Sequence, residues 1–235
     1  MSIKKIVTGL ALSMLLACGV AVAADFNKGL EAAQSGDFQT ALAEWTPLAE
    51  QGNVVAQYNL GTMYANGYGV PENDKTSVKW YTKAAEQGHA SAQLRLGSMY
   101  DFGKGVPKSY KTAVKWYTLA AEQGNAQAQD FLGGMYQTGS GVLQNHKTAV
   151  KWYKKAAEHG DASAQSSLGY MYSKGHGVLK DNRRAYMWHN LSSYNGLEQI
   201  GGRYIDKIAK KMTLADISKA QDMSSRCLES NYTDC

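Results

Sequence analysis

A spacing of 36 residues organises most of this 235-residue chain. The tetrapeptide Gly-x-Met-Tyr occurs four times at that interval, and Gly-x-Gly-Val begins six residues after the start of each copy. A fixed period between about 20 and 50 residues is typical of stacked supersecondary units, because one such unit cannot bury its apolar face alone. The period therefore favours a repeat array over a single compact core.

Each unit reads as two short helices separated by glycine-rich turns. In residues 54–65 apolar side chains recur at helical spacing, and in residues 74–87 Trp80 and Tyr81 share one face with two alanines. Gly88 suits the left-handed conformation just past a helix end. The sequence predicts an all-α fold, built from helix-turn-helix repeats of about 36 residues each.

A glycine lies inside the first helix of every full unit. Such a glycine costs about 1 kcal/mol relative to alanine, so we expect the missing Cβ to allow closer packing. The expected partner is the Trp-Tyr pair of the second helix, with the indole ring against the glycine backbone. Truncating one tryptophan is then expected to cost about 3–5 kcal/mol. The residues given this structural role are Gly61, Gly97, Gly133, Gly169, Trp80, Trp116, Trp152 and Trp188.

The repeat pattern also divides the chain into segments. A degenerate N-terminal capping repeat is expected first, and its Trp45 precedes Trp80 by 35 residues, which indicates one missing residue. A C-terminal helical cap is expected last, with helices at about 197–211 and 214–228, because a stack otherwise leaves apolar end faces exposed. The predicted segments are the cap at 25–52, repeats at 53–88, 89–124, 125–160 and 161–196, and the cap at 197–235.

The first 24 residues have the pattern of a secretory signal peptide. Lys4 and Lys5 precede an apolar run that ends at Ala17, and Ala-Val-Ala follows at residues 21–23. The run is shorter than the roughly 20 residues of a membrane-spanning helix. The sequence predicts a signal peptide at residues 1–24 and a periplasmic or secreted protein. The alternative is an outer-membrane lipoprotein, because Leu-Leu-Ala-Cys18 resembles a lipobox.

Two cysteines remain besides Cys18. In an exported chain Cys227 and Cys235 are favoured to form a disulfide, since export leads to an oxidising compartment. Such a bond would hold the C-terminal tail.

The repeat unit resembles the Sel-one-like repeat, a relative of the tetratricopeptide repeat. The resemblance rests on Ala-x-x-Leu-Gly-x-Met-Tyr, Gly-x-Gly-Val and Trp-Tyr-x-x-Ala-Ala-Glu-Gln-Gly, and it covers about residues 37–196. It implies a right-handed α-solenoid whose first helices line a concave face, and an adaptor role in assembling other proteins. Some members carry a disulfide in each repeat and are linked to β-lactam binding or cleavage, but this chain lacks those cysteines.

The sequence contains no familiar catalytic or metal-binding pattern. No two of the five histidines stand three or four residues apart, and neither His-Glu-x-x-His nor Gly-x-Ser-x-Gly occurs. We therefore expect no catalytic residue, no metal site and no cofactor. His89 and His159 border the turns between units and are expected to be solvated there.

Charge gives little evidence for a partner. The formal net charge is +5 and falls to about +3 without Lys4 and Lys5, too weak to indicate nucleic acid. Lysines recur at four-residue spacing along the second helices, on a face expected to point away from tryptophan and tyrosine. A solvated surface is the plainer interpretation, and weak attraction to an anionic envelope surface is the alternative. These lysines are Lys75, Lys79, Lys83, Lys111, Lys115, Lys147, Lys151 and Lys155.

Positions that differ between units are free for recognition. On the first helices, varying positions at offsets of 0, 3 and 7 form one face and include arginine and aromatic residues, which commonly anchor interfaces. Packing between adjacent units is the alternative role for them. The candidate partner-binding residues are Tyr58, Asn59, Arg95, Phe102, Phe131 and Tyr170.

Together these patterns predict a non-catalytic protein-protein interaction scaffold of the bacterial envelope, or a secreted one. We expect it to bind a protein or peptide on the concave face of the array. The alternatives are an envelope hydrolase of the β-lactam-handling type and an outer-membrane-anchored scaffold for polysaccharide or protein secretion.

Overall fold

The computed structural model describes residues 24–235, which are α-helical and contain no strand. The predicted signal peptide lies outside these residues except for Ala24, as does Cys18. No helix within 24–235 is both long enough and apolar enough to cross a bilayer. The helices are α1 Phe26–Ser35, α2 Phe38–Glu50, α3 Val54–Asn66, α4 Asp74–Glu86, α5 Ala90–Phe102, α6 Tyr110–Glu122, α7 Ala126–Thr138, α8 His146–Glu158, α9 Ala162–Lys174, α10 Asn182–Ser192, α11 Glu198–Ala209 and α12 Leu214–Glu229.

From α1 to α11, each helix packs on the next helix along the chain. The pairs α3 with α4, α5 with α6, α7 with α8 and α9 with α10 form the full units, and the second helix of one unit packs on the first helix of the next. Core clusters accordingly follow one another along the stack. The prediction of an all-α solenoid with a 36-residue repeat is confirmed.

Local sequence sets where each helix begins. A polar side chain at the N-cap accepts a hydrogen bond from the backbone N–H three residues later, which satisfies a donor that the helix leaves unpaired. The N-cap residues of the full units are Asn53, His89, Asn125 and Asp161 for the first helices and Asn73, Ser109, Asn145 and Asp181 for the second helices.

The two glycines of Gly-x-Gly-Val have different structural roles, as the second full unit shows. Gly103 ends α5 with φ of 73°, a left-handed conformation that glycine adopts at little cost. A Cβ on Gly105 would lie 2.5 Å from the carbonyl oxygen of Asp74, at the start of α4. The first glycine thus closes a helix, and the second lets the turn approach the preceding unit.

The glycines inside the first helices contact tyrosine in three of the four full units, and the prediction of an indole contact is wrong for all four. A Cβ on Gly61 would lie 2.5 Å from the Tyr81 ring. The corresponding distance is 2.6 Å from Gly97 to Tyr117 and 2.7 Å from Gly133 to Tyr153. Because any side chain on these glycines would overlap the ring, each aromatic side chain lies directly on helix backbone.

The tryptophans instead pack where adjacent units meet. The half-buried Trp116 packs against a core cluster formed by α4 of the preceding unit and α5 of its own unit, and Trp152 packs against the corresponding cluster of α6 and α7 one unit later. The lysine face does not point away from these rings as predicted. Lys83 Nζ lies 4.7 Å from the centre of the Trp80 ring, and Lys155 Nζ lies 4.7 Å from that of Trp152. These lysines cover the outer faces of the tryptophans through cation-π contacts.

The N-terminal unit follows the same rule with a different ring, and its second helix keeps the 36-residue register of the repeat. Its second helix, α2, starts and ends 36 residues before α4, and Trp45 therefore occupies the position of Tyr81. The Trp45 ring lies on Gly29, whose Cβ would meet the indole nitrogen at 2.5 Å.

The C-terminal cap departs from the repeat. After α10 a π-helical segment, Ser193–Leu197, redirects the chain at Gly196, where φ is 111°. The two predicted helices are present as α11 and α12, and α12 packs back on α10. Cys227 is buried on α12, and its Cα lies 4.9 Å from that of Cys235, within the range of a disulfide.

The glycine contact predicts an unusual response to alanine. Gly97→Ala should lower the free energy of unfolding by about 1–3 kcal/mol, because the new methyl group overpacks the Tyr117 ring. At Gly202 on α11 a Cβ would meet nothing within 4 Å, so Gly202→Ala should raise stability by up to about 1 kcal/mol. Urea unfolding of both variants measures the two effects. Stabilisation by both substitutions would contradict the packing role of Gly97.

Candidate functional site

Three cavities follow one another along the first helices. The first has a volume of about 200 Å³, lies between α3 and α5, and includes Arg95 and Lys104 in its lining. The second, of about 370 Å³, lies between α5 and α7 and contains Asp130; we name it the Asp130 cavity. The third, of about 240 Å³, lies between α7 and α9. The first helices thus form an open, irregular surface with one cavity at each junction.

Four of the six candidate residues line this row of cavities. Arg95 lines the first, Phe102 and Phe131 line the second, and Tyr170 lines the third. Phe102 is 66% exposed, so no packing within the described chain accounts for it. Phe131 both lines a cavity and packs between adjacent units, because its ring also contacts that of Tyr117 at a centroid distance of 5.2 Å.

The other two candidates, Tyr58 and Asn59, do not line these cavities. Tyr58 stacks on His89 of the next unit, with ring centroids 4.7 Å apart. His89 is therefore not the solvated turn residue that was predicted. Its Nδ1 accepts a hydrogen bond from the backbone N–H of Ala92 at 3.2 Å, and partial burial lowers its pKa.

The tyrosines that lie on the glycines carry their hydroxyl groups to the same surface. Tyr117 Oη donates to Asp101 at 3.4 Å, and Tyr153 Oη donates to Gln137 Oε1 at 2.6 Å. Burial raises the pKa of Tyr117 and of Tyr153, since the phenolate would lose its hydration. These phenols therefore act as neutral hydrogen-bonding groups.

Asp130 is a site residue that the sequence reasoning missed. Its position in the repeat is held by the buried Leu94 in the preceding unit, and by Tyr58 and Ser166 in two others. Among residues 24–235 its carboxylate receives no hydrogen bond and forms no ion pair. Burial, together with the negative charge of Asp161, raises the pKa of Asp130 to about 7. The sequence does contain a signal for this site residue, because Asp130 is a carboxylate at a repeat position where the other units have no acidic or basic side chain.

His189 is a second such residue, and it takes the place of the tyrosine in the last unit. Its ring lies on Gly169 and stacks on Tyr204 of α11 with centroids 4.6 Å apart. It is fully buried, and neither ring nitrogen has a hydrogen-bond partner in the described region. Burial lowers the pKa of His189 to about 4, so the ring is neutral at pH 7. Within residues 24–235 no cluster of histidine, cysteine and carboxylate side chains is arranged to hold a metal ion.

Stacked helix pairs with a row of cavities along one set of helices define a helical-repeat protein of the solenoid class. A family model described as the Sel1 repeat matches residues 54–89, 90–125, 126–161 and 162–197, and the chain belongs to the Sel1 repeat family. Proteins with these repeats generally act as protein-interaction scaffolds. Comparison with curated proteins gives no match.

Two solved structures resemble this one. One is c5321, described as a protective antigen present in uropathogenic Escherichia coli strains and displaying an SLR fold. It is 35% identical, with a TM-score of 0.81 over 88% of this chain, which spans 46% of the antigen. The other is a Sel1 repeat protein from Oxalobacter formigenes, 32% identical, with a TM-score of 0.71 over 83% of this chain and 88% of its own.

The shifted pKa values of Asp130 and His189 predict opposite effects of pH on stability. The folded state holds the Asp130 proton more tightly than the unfolded state, so this residue makes folding less favourable as pH rises from about 4 to about 7. His189 does the reverse, because below about pH 6.5 the unfolded state takes up a proton that the folded state resists down to about pH 4.

Urea unfolding between pH 4.5 and 7.5 tests these signs. Relative to the unmodified protein, Asp130→Asn should gain stability as pH rises, and His189→Phe should gain stability as pH falls. Each unit of pKa displacement corresponds to about 1.4 kcal/mol. Differences that do not change with pH would show that neither group titrates abnormally.

Proposed function

We propose that this chain is a non-catalytic scaffold that binds a protein or peptide segment along its first helices. The proposal rests on one observation, which is that constant and varying positions of the repeat lie in different places. Residues common to the units, such as Ala92 and Leu96, are buried in the stack, whereas residues that differ, such as Arg95 and Phe102, line the cavities. A surface that varies on a constant frame suits recognition of an extended partner.

The charges along the cavities favour a partner of mixed charge. Arg95 and Lys104 line the first cavity beside Asp74, whereas the Asp130 cavity contains Asp101 and Asp130. An extended segment places successive side chains at regular intervals, so one segment can present an acidic group to the first cavity and a basic group to the second. Complementary charges of this kind determine register and partner choice.

Protein binding is a better match to these residues than hydrolysis of a β-lactam. A nucleophile needs a neighbouring base that can take its proton. His189 is the buried histidine of the described region, and it is stacked on Tyr204 without a hydrogen-bonded hydroxyl. Tyr117 and Tyr153 have raised pKa values, which opposes their ionisation.

We further propose that the protein is exported and acts in the envelope or outside the cell. The signal-peptide pattern of residues 1–24 supports this location. The short Cα distance between Cys227 and Cys235 supports it too, because disulfides persist in oxidising compartments. Similarity to a protein described as a protective antigen favours the same assignment.

Intact mass measurement of the protein from its native cells tests export. The expected chain starts near Asp25 and is lighter by two hydrogen atoms than its reduced form, since Cys227 and Cys235 are paired. A chain that starts at a lipid-modified Cys18 would support the outer-membrane alternative. An unprocessed chain with free thiols would contradict export.

Partner capture tests the binding surface. Arg95→Glu combined with Phe102→Ala should abolish crosslinking to the partner in the native envelope, while the Tm stays unchanged because both side chains are exposed. Phe131 is left intact, since it packs on Tyr117. Leu143→Ala is the matched control, because Leu143 is 91% exposed and lies in the turn between α7 and α8. Loss of capture in the control as well, or in neither variant, would contradict the assigned surface.

A further inference from the structure

The Asp130 cavity combines carboxylates with aromatic rings and has no cationic side chain in its lining. Asp101 enters from α5 and Asp130 from α7. The other charged cavity of the row contains both signs, and the third has no charged residue in its lining. The aromatic residues around the two carboxylates are Phe102, Tyr110, Phe131 and Tyr153.

Asp130 is costly for the fold. The preceding unit places Leu94 at this position with 6% of its surface exposed, so a leucine is compatible with the stack. A partly buried carboxylate without a partner loses hydration and gains nothing in return. Since nothing within residues 24–235 donates to it or pairs with it, the compensating group is to be sought in a bound molecule.

The wall of the cavity already accepts an ammonium group from its own chain. Lys108 Nζ lies 4.5 Å from the centre of the Tyr110 ring, and its charge partly offsets the effect of burial on the pKa of Asp101. The exposed Phe102 ring offers a second aromatic surface with no cation on it. Aromatic faces next to a carboxylate hold organic cations by combined cation-π and Coulombic attraction. A metal ion such as Ca²⁺ would need more oxygen ligands than two carboxylates supply.

We propose that the Asp130 cavity binds a lysine or arginine side chain of the partner, with Asp130 as the counter-ion and Phe102 and Phe131 as the aromatic walls. This inference rests on the proposed function and names the chemistry that selects the partner. It accounts for a carboxylate at a position where the stack tolerates leucine.

A titration with small cations tests the cavity directly. n-Butylguanidinium and n-butylammonium should cause saturable NMR shifts of the Phe102 and Phe131 ring protons, whereas n-butanol should not. Asp130→Asn should weaken the cation affinity at least tenfold. Glu122→Gln, on the exposed surface of α6, removes the same charge elsewhere and should leave the affinity unchanged. Equal affinity in all three proteins, or no saturable shift, would overturn the proposal.

The same titration has a pH signature. Affinity should fall between pH 8 and pH 6, because Asp130 takes up a proton in that range. The other titratable groups near Asp130 are Asp101 from α5, Tyr110 from α6, Tyr153 from α8 and Asp161 at the start of α9, and the ammonium of Lys108 lies on the Tyr110 ring beside Asp101. Asp101→Asn should keep the pH dependence, and Asp130→Asn should lose it. Loss of the pH dependence in Asp101→Asn alone would assign the cation to Asp101 instead and contradict the proposal.

Selection from a random dodecapeptide display library separates this inference from the proposed function. The unmodified protein should enrich peptides with one lysine or arginine at a fixed position. Asp130→Leu should still enrich peptides but without that basic residue, and its Tm should equal or exceed that of the unmodified protein. Peptides enriched without any basic preference would overturn the inference and leave the proposed function standing. Enrichment of nothing, with small cations still bound, would contradict the proposed function and leave the cation site standing.

Discussion

The contact on which the structure depends is an aromatic ring lying on bare helix backbone. Gly97 in the middle of α5 gives up helix propensity, and the Tyr117 ring of α6 occupies the space that a Cβ would need. The contact sets how closely the two helices of a unit approach. The ring lies against the backbone of α5, and its hydroxyl donates a hydrogen bond to Asp101 of the same helix. One packing interaction therefore shapes both the core of the unit and the polar floor of the candidate site.

The fold was predictable because several independent features of the repeat indicate the same helices. Period, helix caps and turn glycines all point to the same helix pairs, and their bounds agree with the structure to within about one residue. The ring on the glycine was not predicted correctly, because Trp80 and Tyr81 are neighbours and a period does not tell which faces its own unit. The 35-residue spacing between Trp45 and Trp80 already indicated the correct ring. The full period of 36 residues leads from Trp45 to Tyr81, so Tyr81 is the equivalent of Trp45 in the next unit.

The candidate site was predictable in part. Comparing units singled out Arg95 and Phe102 because they differ from their counterparts on one helix face, and both line the cavities. Asp130 lies one position outside the compared stripe, so it was passed over. Even with its position in view, the sequence does not show that its carboxylate is partly buried and unpaired. That depends on the approach of Tyr153 and Asp161 from the following helices.

Repeat architecture explains how such departures can accumulate without loss of the fold. Stability in a solenoid is close to a sum of terms within units and between neighbours, so an unfavourable residue weakens one unit and the joints beside it. Asp130 replaces the leucine, tyrosine or serine of other units and His189 replaces a tyrosine, and each lies in a unit that keeps its glycine-ring contact. The cost of each ionisable group is therefore local, whereas the surface it creates belongs to the whole array. A chain of near-identical units can in this way place a distinct chemical group at one junction and leave the others unchanged.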